Sequence, residues 1–295
     1  MDGILNIYKE KGFTSHDVVA KLRGILHQKK IGHTGTLDPD AVGVLPVCLG
    51  KGTKLCDMLT DTDKVYRAVL LLGFETDTQD MSGQILAEKP VLVDEEQVRK
   101  AVESFIGTYD QIPPMYSALK VGGKKLYELA REGKTVERAA RRVTIHAIEI
   151  EEIAVPRITM SVACSKGTYI RTLCHDIGQA LGCGGAMEEL VRTKAGAFSI
   201  DKSITLAQVE TLRDQGLLDE QLVSVKEMLS YLPPFICKPE SEKALRNGNM
   251  LKKGWGAYPE GLQEEMMVLD SSEELIGVYE FRKETGMLHP KKMFL

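Results

Sequence analysis

The spacing of apolar and polar residues predicts a chain that mixes strands with helices. Residues 3–8 form a short apolar run that is typical of a buried strand. A hydroxyl N-cap within residues 11–15 opens a helix that is predicted to reach about Leu26, with its apolar side chains on one face. Residues 143–154 and 157–165 alternate between apolar and polar positions, which predicts two strands.

The middle of the N-terminal half continues this mixture. Residues 52–59 are predicted to form a helix with its apolar positions turned inward, and residues 64–74, rich in Val, Tyr and Leu, predict a strand. Asp94 and Gln97 have the spacing of a capping box, and Gly107 is expected to close the helix that follows.

A change in composition near Leu232-Pro233-Pro234 divides the chain. Beyond it, shorter strand-like pieces alternate with Gly and Asn turn residues. We therefore expect one large domain over residues 1–232 and a small β-rich domain over residues 233–295. The predicted fold class is α+β.

Composition limits the functional classes. The net charge is −4 and the pI is near 6.0, which argues weakly against a whole-molecule attraction to nucleic acid. The six cysteines lack the spacing of a zinc site or a disulfide framework. The N-terminus has no signal-like region, and the longest apolar run, Ala68–Leu72, is too short for a bilayer. These features predict a cytoplasmic protein without a membrane segment.

Residues 120–142 are strongly basic within this acidic chain. They contain eight Lys or Arg residues against three Glu residues, a net charge of +5. Gly122-Gly123 predicts a hairpin turn, and Lys125 to Arg131 predicts a short helix, so the segment is a structured excursion. A charge run of this kind is either a solvated face or a surface that grips a partner.

The segment Gly32–Pro39 has the composition of a shaped loop. It places glycines, a proline, an imidazole, hydroxyls and one carboxylate between apolar segments. Pro39 fixes its own backbone angle and biases Asp38 away from the helical region, so the Asp38 carboxylate is presented at a constrained turn. Asp38 either hydrogen-bonds its own backbone, as in an ordinary Asp-Pro turn, or serves as a functional carboxylate.

Several separated motifs occur together in a fixed order. Taken jointly, they resemble the bacterial tRNA pseudouridine-55 synthases of the TruB type, closely over about residues 1–200 and less specifically in the C-terminal part, which is similar to a PUA RNA-binding domain. The motifs are Gly32–Pro39, Tyr66-Arg67, Thr76-Asp77-Thr78, Pro114–Lys120, Lys166–Arg171 and Leu190-Val191-Arg192.

The resemblance implies a pseudouridine-synthase catalytic domain with a mixed, mainly antiparallel sheet. It also implies the isomerisation of uridine 55 in the T-loop of tRNA to pseudouridine, without a cofactor or a metal. Asp38 matches the catalytic aspartate of the family, and a carboxylate is a suitable nucleophile for uracil C6 or ribose C1′. Attack at C6, attack at C1′ and abstraction of the ribose 2′ proton on the way to a glycal all remain open.

Two further residues are expected beside Asp38. Arg171 is the candidate cation that keeps the carboxylate ionised, since a nearby positive charge favours that form while burial opposes it. The alternative is an arginine on the exposed face of a helix start. Tyr66 is expected to stack on the extruded uracil and to help handle the C5 proton, and the alternative is a structural tyrosine of the core or of an edge strand.

The remaining candidates concern binding of the flipped nucleotide. His33 suits a wedge that supports base flipping, or else it is a structural histidine. Tyr169 and Leu190 would complete the pocket wall, although an aromatic residue and a helical leucine are also common in cores. Lys11 matches a motif lysine that is expected to be mainly structural, with a phosphate contact as the alternative.

The basic segment corresponds to an insertion of the family, at about residues 115–142, that would clamp the T-stem loop of tRNA through phosphate contacts. We expect no obligatory protein partner and a monomeric enzyme. The expected contact residues are Lys120, Lys124, Lys125, Arg141 and Arg142.

Two other classes of function compete with the isomerase. The first is an RNA-binding chaperone that folds tRNA without chemistry. The second, a carboxylate-nucleophile hydrolase of small phosphorylated metabolites, is disfavoured, because the sequence around Asp38 has neither a P-loop nor an acidic Mg²⁺-binding cluster.

Overall fold

A computed structural model describes residues 1–258 and 261–295. Its strands, in chain order, are β1 (Gly3–Lys9), β2 (Ile31–His33), β3 (Val42–Leu49), β4 (Lys64–Leu72), β5 (Phe74–Thr76), β6 (Ile85–Glu88), β7 (Gly107–Gln111), β8 (Lys120–Val121), β9 (Lys124–Lys125), β10 (Arg141–Ala154), β11 (Arg157–Cys164), β12 (Gly185–Ala195), β13 (Phe198–Ser199), β14 (Leu222–Val223), β15 (Pro234–Cys237), β16 (Leu251–Lys252), β17 (Gly256–Ala257), β18 (Glu265–Leu269), β19 (Leu275–Arg282) and β20 (Met287–Met293).

Helices cover the sheets or connect their strands. The α-helices are α1 (Ser15–Leu26), α2 (Cys56–Thr60), α3 (Glu95–Glu103), α4 (Leu126–Arg131), α5 (Ile170–Ala180), α6 (Leu206–Asp214), α7 (Val225–Met228) and α8 (Glu242–Arg246). Short 3₁₀ turns are Gly50–Leu55, Ile200–Lys202, Leu218–Gln221, Pro239–Ser241 and Lys253–Trp255.

The larger sheet has the order β14-β1-β3-β12-β4-β11-β10-β7, with β2 beside β3 and β13 beside β12. The β3–β12 pair is parallel, and the other described pairs of this sheet are antiparallel. Helices α3 and α5 share one apolar cluster with β4, β10, β11 and β12. The predicted α+β class with a mixed, mainly antiparallel sheet is confirmed.

Local capping signals fix several helix ends. Thr14 caps α1 in a capping box with Asp17, and Asp94 caps α3 in the predicted box with Gln97. The predicted end of α3 is wrong, because the helix stops at Glu103 and Gly107 instead begins β7 with a φ of +112°.

Three other local predictions differ from the structure. The strand predicted over residues 64–74 ends at Leu72, because Gly73 turns the backbone with a φ of +95°. The helix predicted over residues 52–59 divides into a 3₁₀ turn and α2. Leu190, interpreted as a possible helical leucine, lies in the middle of strand β12.

The smaller sheet has the order β16-β20-β19-β18-β15-β17. Its edge strands β16 and β17 are joined only by residues 253–255. A flat sheet of six strands is about 24 Å wide, whereas the four peptide steps between these edges reach at most about 14 Å. The sheet must therefore curl back toward itself, as in a barrel.

The two sheets share a hydrophobic cluster. Ile4 and Val44 of the larger sheet pack in the same cluster as Met267, Val278 and Phe294. The contact also includes polar bonds, since Lys54 Nζ donates to the Met293 carbonyl at 2.6 Å and Lys226 Nζ donates to the Glu273 carbonyl at 2.8 Å. The C-terminal sheet is thus packed against the larger one.

Among the described residues, none of the helices has the length and apolar character needed to cross a membrane.

Candidate active site

The loop between β2 and β3 presents Asp38 at a fixed place. Gly35 takes a φ of +75°, a conformation that glycine adopts without steric cost. Thr34 N–H donates to the Pro46 carbonyl at 3.0 Å, and Leu37 N–H donates to Ser15 Oγ at 3.0 Å. The Leu37 side chain is buried in the cluster around α5. Backbone and side-chain contacts therefore hold the loop on the N-terminal side of Asp38, and we call residues 34–39 the Asp38 loop.

Lys9 anchors the far end of the Asp38 loop. Its ammonium group is buried and donates to the carbonyls of Phe13 at 2.6 Å, Pro39 at 3.0 Å and Glu10 at 3.1 Å. Burial lowers the pKa of Lys9 to about 8. The expected structural lysine, Lys11, is exposed. The structural role assigned to Lys11 from sequence is therefore filled by Lys9.

Asp38 and Arg171 form a two-point ion pair. Arg171 Nε lies 2.9 Å from Asp38 Oδ2, and Arg171 Nη2 donates to Asp38 Oδ1 at 3.2 Å. The Arg171 side chain is 5% exposed, whereas that of Asp38 is 40% exposed. The arginine is therefore not on an exposed helix face, and only the carboxylate is open to a ligand.

The same guanidinium joins three segments that are distant in the chain. Arg171 Nη1 donates to the Thr78 carbonyl at 2.9 Å and lies 3.6 Å from Asp80 Oδ2. Arg171 Nη2 also donates to the Tyr116 carbonyl at 2.9 Å. The Asp38 loop, the turn after β5 and the first residues of the basic insertion thus meet at one side chain.

Opposing influences act on the pKa of Asp38. Burial raises this pKa and is the largest influence, the charge of Arg171 lowers it, and Asp80 raises it. The carboxylate is surrounded by protein and yet remains 40% accessible, a combination expected in a concave site. The pKa of Asp38 is therefore higher than usual, and Arg171 limits the increase.

Tyr66 lies on β4 with its side chain packed against the cluster that contains Leu190. Burial raises the pKa of the Tyr66 phenol, the charge of Arg192 lowers it, and the negative charge of Asp38 raises it. The phenol therefore lies within electrostatic reach of Asp38. Leu190 is buried on β12 opposite Ala68 of β4, on the same face of the sheet as Tyr66.

Tyr169 precedes the first residue of α5 and is held by Gln111. The Gln111 side chain accepts from Tyr169 N–H at 2.8 Å and donates to the Tyr169 carbonyl at 3.0 Å. Burial raises the pKa of the Tyr169 phenol, and the charges of Arg141, Arg171 and Asp38 act on it as well. Tyr169 thus belongs to the same group of residues as Asp38.

His33 ends β2 and is half-buried. Its ring meets His16 edge to face, with the centroids 5.1 Å apart, and its Nδ1 atom is buried without a protein hydrogen-bond partner among the described residues. Burial, together with the charges of His16 and Arg192, lowers the pKa of His33 to about 4. His33 is therefore neutral at physiological pH.

The predicted basic residues lie in two places. Lys120 of β8 is opposite Lys125 of β9 in the hairpin, and the exposed Lys124 forms an ion pair with Glu132 at 3.2 Å. Lys125 Nζ lies 5.4 Å from the centre of the Tyr127 ring. The exposed Arg141 and Arg142 begin β10, and Arg142 Nε lies 3.2 Å from Asp110.

Three side chains of this site had no assigned role at the sequence level. They are Lys9, Gln111 and Arg192, each of which is buried and bound to backbone carbonyls. Lys9 ends the largely apolar strand β1, which is a weak sequence signal, whereas Arg192 lies among the polar residues of β12 and has no such signal. By contrast, a groove between α1 and α6, lined by Phe13, Ile25 and Leu206 among others, contains none of the site residues.

The chain matches known families over most of its length. The profile of the TruB family pseudouridylate synthase N-terminal domain matches residues 23–170, and that of the tRNA pseudouridylate synthase B C-terminal domain matches residues 171–230. A tRNA pseudouridine synthase B of Lachnoclostridium phytofermentans is 52% identical, with 100% of both chains covered. Another, from Alkaliphilus oremlandii, is 51% identical over 85% of this chain and 83% of its own.

Solved structures agree with the family assignment. A chain in the structure of an H/ACA RNP bound to a substrate RNA containing 2′-deoxyuridine aligns with a TM-score of 0.74 and 26% identity, over 99% of this chain and 85% of that chain. A chain in a Cbf5-Nop10-Gar1 complex aligns with the same TM-score and coverage and 27% identity.

The large mixed sheet, with an aspartate–arginine pair beside β4 and α5, defines the protein as a member of the pseudouridine synthase class. Within that class, the chain belongs to the TruB family of pseudouridylate synthases.

Proposed function

We propose that this chain converts uridine 55 in the T-loop of tRNA to pseudouridine, with Asp38 as the nucleophile. The two-point pair between Asp38 and Arg171 carries the proposal, because it leaves the Asp38 carboxylate accessible to a ligand while the Arg171 guanidinium behind it is buried. The relatives named tRNA pseudouridine synthase B support tRNA as the substrate.

The reaction is balanced without a redox partner or a transferred group. The bond between C1′ of the ribose and N1 of uracil breaks, and a bond between C1′ and C5 forms. C5 releases one proton and N1 gains one. A carboxylate that is ionised and aimed can serve this reaction as a nucleophile, and Arg171 favours its ionised form.

Three routes start from the same carboxylate. Asp38 adds to C6, adds to C1′, or removes the ribose 2′ proton so that a glycal forms. Deuterium at C2′ slows the chemical step substantially in the third route alone, because only that route breaks the C2′–H bond. Isotopic substitution at C2′ therefore distinguishes the glycal route from the two addition routes.

The target base must leave its stack before Asp38 can reach it, and this costs a few kcal/mol. We assign the compensating contacts to the side chains around Asp38. Tyr66 stacks on the uracil, and Tyr169 and Leu190 form the wall of the pocket. His33 occupies the space that the base vacates, and its neutral ring fits against bases without desolvating a charge.

The basic insertion binds the T-stem loop in this proposal. Its exposed lysines and arginines neutralise phosphates, and its base is joined to the active site through the bond from Arg171 to the Tyr116 carbonyl. We assign residues 1–232 to the catalytic domain, with the insertion at about 115–142, and residues 233–295 to a PUA-like RNA-binding domain. Arg246, Lys252 and Lys253 are the candidate contacts of the second domain.

The enzyme acts as a monomer in this proposal, since Asp38, Tyr66, Tyr169 and Arg171 all come from one chain. Because its substrate is tRNA, we place it in the cytoplasm. A role as a chaperone without chemistry gives no reason for a buried arginine to hold a partly exposed carboxylate at two points.

The test uses a T-stem-loop hairpin that carries tritium at C5 of the target uridine. The native chain should release one tritium per hairpin and leave pseudouridine at position 55. Asp38→Asn should release none above background while binding the hairpin within about threefold of the native affinity. A hairpin with cytidine at the target position is the matched substrate control.

Release of tritium by Asp38→Asn at the native rate contradicts the assignment of the nucleophile. Absence of pseudouridine from the native reaction, together with faster folding of tRNA, favours the chaperone instead.

A further inference from the structure

Arg192 is a buried arginine without an acidic partner. It is among the largest fully buried side chains, with 1% exposure, and lies on β12. Within residues 1–258 and 261–295, its guanidinium has no carboxylate at ion-pair distance. Burial of an unpaired cation is unfavourable, so some other set of contacts must hold this side chain in place.

Those contacts are two backbone carbonyls. Arg192 Nε donates to the Val44 carbonyl at 2.7 Å, and Arg192 Nη2 donates to the Gly35 carbonyl at 3.2 Å. Val44 belongs to β3, whereas Gly35 lies in the Asp38 loop three residues before Asp38. The guanidinium therefore ties the loop to the strand that follows it.

Two glycines lie against Arg192. A Cβ atom at Gly35 would lie 3.5 Å from Arg192 Nη1, which is an ordinary van der Waals distance, and Gly35 has a φ of +75°. A Cβ atom at Gly43, the partner of Arg192 in the β3–β12 pair, would lie 2.3 Å from the Arg192 carbonyl oxygen. The side chain of Arg192 thus packs against Gly35, and its backbone approaches Gly43 too closely for any side chain there.

Arg192 also faces Tyr66. The two residues are directly opposite in the β4–β12 pair, and opposed residues project from the same face of a sheet. The charge of Arg192 lowers the pKa of the Tyr66 phenol against the stronger effect of burial. One guanidinium therefore contacts the loop that carries Asp38 and lies beside the phenol of Tyr66.

We propose that Arg192 is a positioning residue that fixes the Asp38 loop and the Tyr66 phenol relative to each other, so that Asp38 and Tyr66 act on the same extruded uracil. This inference rests on the proposed function. The planar guanidinium of an arginine can face the Asp38 loop and the Tyr66 phenol at the same time. A lysine instead places one ammonium group at the end of a flexible chain.

The proposal is tested by a double-mutant cycle with Arg192→Lys and Tyr66→Phe. Single-turnover rates of tritium release at saturating enzyme, hairpin affinity and thermal midpoint are measured for all four proteins. Arg192→Lys should lower the rate by about tenfold to a hundredfold while hairpin affinity changes less than about threefold, the range expected when positioning is impaired but binding is kept.

In the Tyr66→Phe background, the fold decrease in rate caused by Arg192→Lys should be at least three times smaller than in the native background, because part of the effect acts through the phenol. Additive effects overturn the proposal, as does a rate decrease that only follows the decrease in folded protein. The native chain is measured in the same assay, so absence of pseudouridine there identifies failure of the proposed function.

Two further variants control for a folding defect. Arg213→Lys is the matched control, because Arg213 also donates to a carbonyl, that of Ile25, but lies between α1 and α6, and its rate should stay within about twofold. Gly35→Ala strains the loop backbone at a φ of +75° and so disturbs the carbonyl that accepts from Arg192, while Arg192 itself remains. It should also lower the rate with little change in affinity, and an unchanged rate overturns the proposal even if Arg192→Lys does not fold.

Discussion

Arg171 contacts both carboxylate oxygens of Asp38, from Nε at 2.9 Å and from Nη2 at 3.2 Å. Because the arginine is buried and the aspartate is partly open, the pair fixes the direction of the carboxylate without closing it off. The charge of Arg171 also opposes the increase in the pKa of Asp38 that burial causes. Geometry and ionisation thus depend on the same side chain.

Replacement of Arg171 should separate these two effects. Arg171→Lys retains the charge but removes the two-point contact, and we expect the single-turnover rate to fall about a hundredfold at every pH. Arg171→Met removes the charge as well, so the pKa of Asp38 rises further. The acid limb of its pH–rate profile should move to higher pH, since the proposed reaction needs the ionised carboxylate.

The measurement is the single-turnover rate between pH 5 and pH 8.5. An equal shift of the acid limb in both variants, or in neither, contradicts the role of the Arg171 charge.

Lys9 and Lys11 provide a matched pair within one turn. Lys9→Met leaves three carbonyls without their donor and should lower the free energy of unfolding by about 2 kcal/mol. Lys11→Met changes an exposed side chain and should alter it by no more than about 0.5 kcal/mol. Urea denaturation monitored by circular dichroism compares them, and equal effects refute the assignment of Lys9 as the anchor.

Neutralisation of basic residues should change the salt dependence of tRNA binding. In Arg141→Gln/Arg142→Gln, and separately in Lys124→Gln/Lys125→Gln, the slope of log affinity against log salt should decrease by about 0.7 to 0.9 for each phosphate that is no longer neutralised. Arg99→Gln/Lys100→Gln on α3 removes the same number of charges, which also lie near glutamates. Its slope should remain native, and an equal decrease there indicates a general charge effect.

Asp176 predicts a pH dependence of stability. Burial raises its pKa to about 6 from an ordinary 3.8, so the folded state binds the proton more tightly than the unfolded state. Its contribution to stability is complete below about pH 4 and is lost as the pH rises through 6. The free energy of unfolding of Asp176→Asn relative to that of the native chain should therefore increase as the pH rises from about 4 to above 6. The expected increase is about 1 to 2 kcal/mol after allowance for partial exposure.

Thermal unfolding at pH 4, 5, 6, 7 and 8 tests this expectation. Asp219→Asn, at an exposed position, makes the same charge change and should show a difference that varies little with pH. A difference for Asp176→Asn that is constant across the series contradicts the prediction.

Local patterns predicted many of the elements because their causes are local. The Thr14 and Asp94 caps act through residues three positions away, and the Gly122-Gly123 hairpin is set by its own backbone. The family motifs associated Asp38 with Arg171 although 133 positions separate them. The resemblance, rather than periodicity, supplied that contact.

Other features depend on backbone segments that are distant in the sequence and come together only in the folded chain. The choice between Lys9 and Lys11 is decided by three carbonyls that only the folded turn assembles. Gln111 holds Tyr169 across 58 positions, and the short apolar run around Leu190 does not by itself distinguish a strand from a helix. These contacts are long-range, and a single sequence records them only as isolated polar or apolar residues.

The hydrophobic cluster shared by the two sheets has a consequence for how the protein melts. If the C-terminal sheet separates from the larger sheet, Ile4 and Val44 lose apolar contacts. Contacts are then also lost by Met267, Val278 and Phe294. Pro233 therefore marks a change of sheet, and the shared cluster couples the two sheets. We expect heat or denaturant to unfold them together, and we expect a chain shortened at residue 232 to expose an apolar face that favours aggregation.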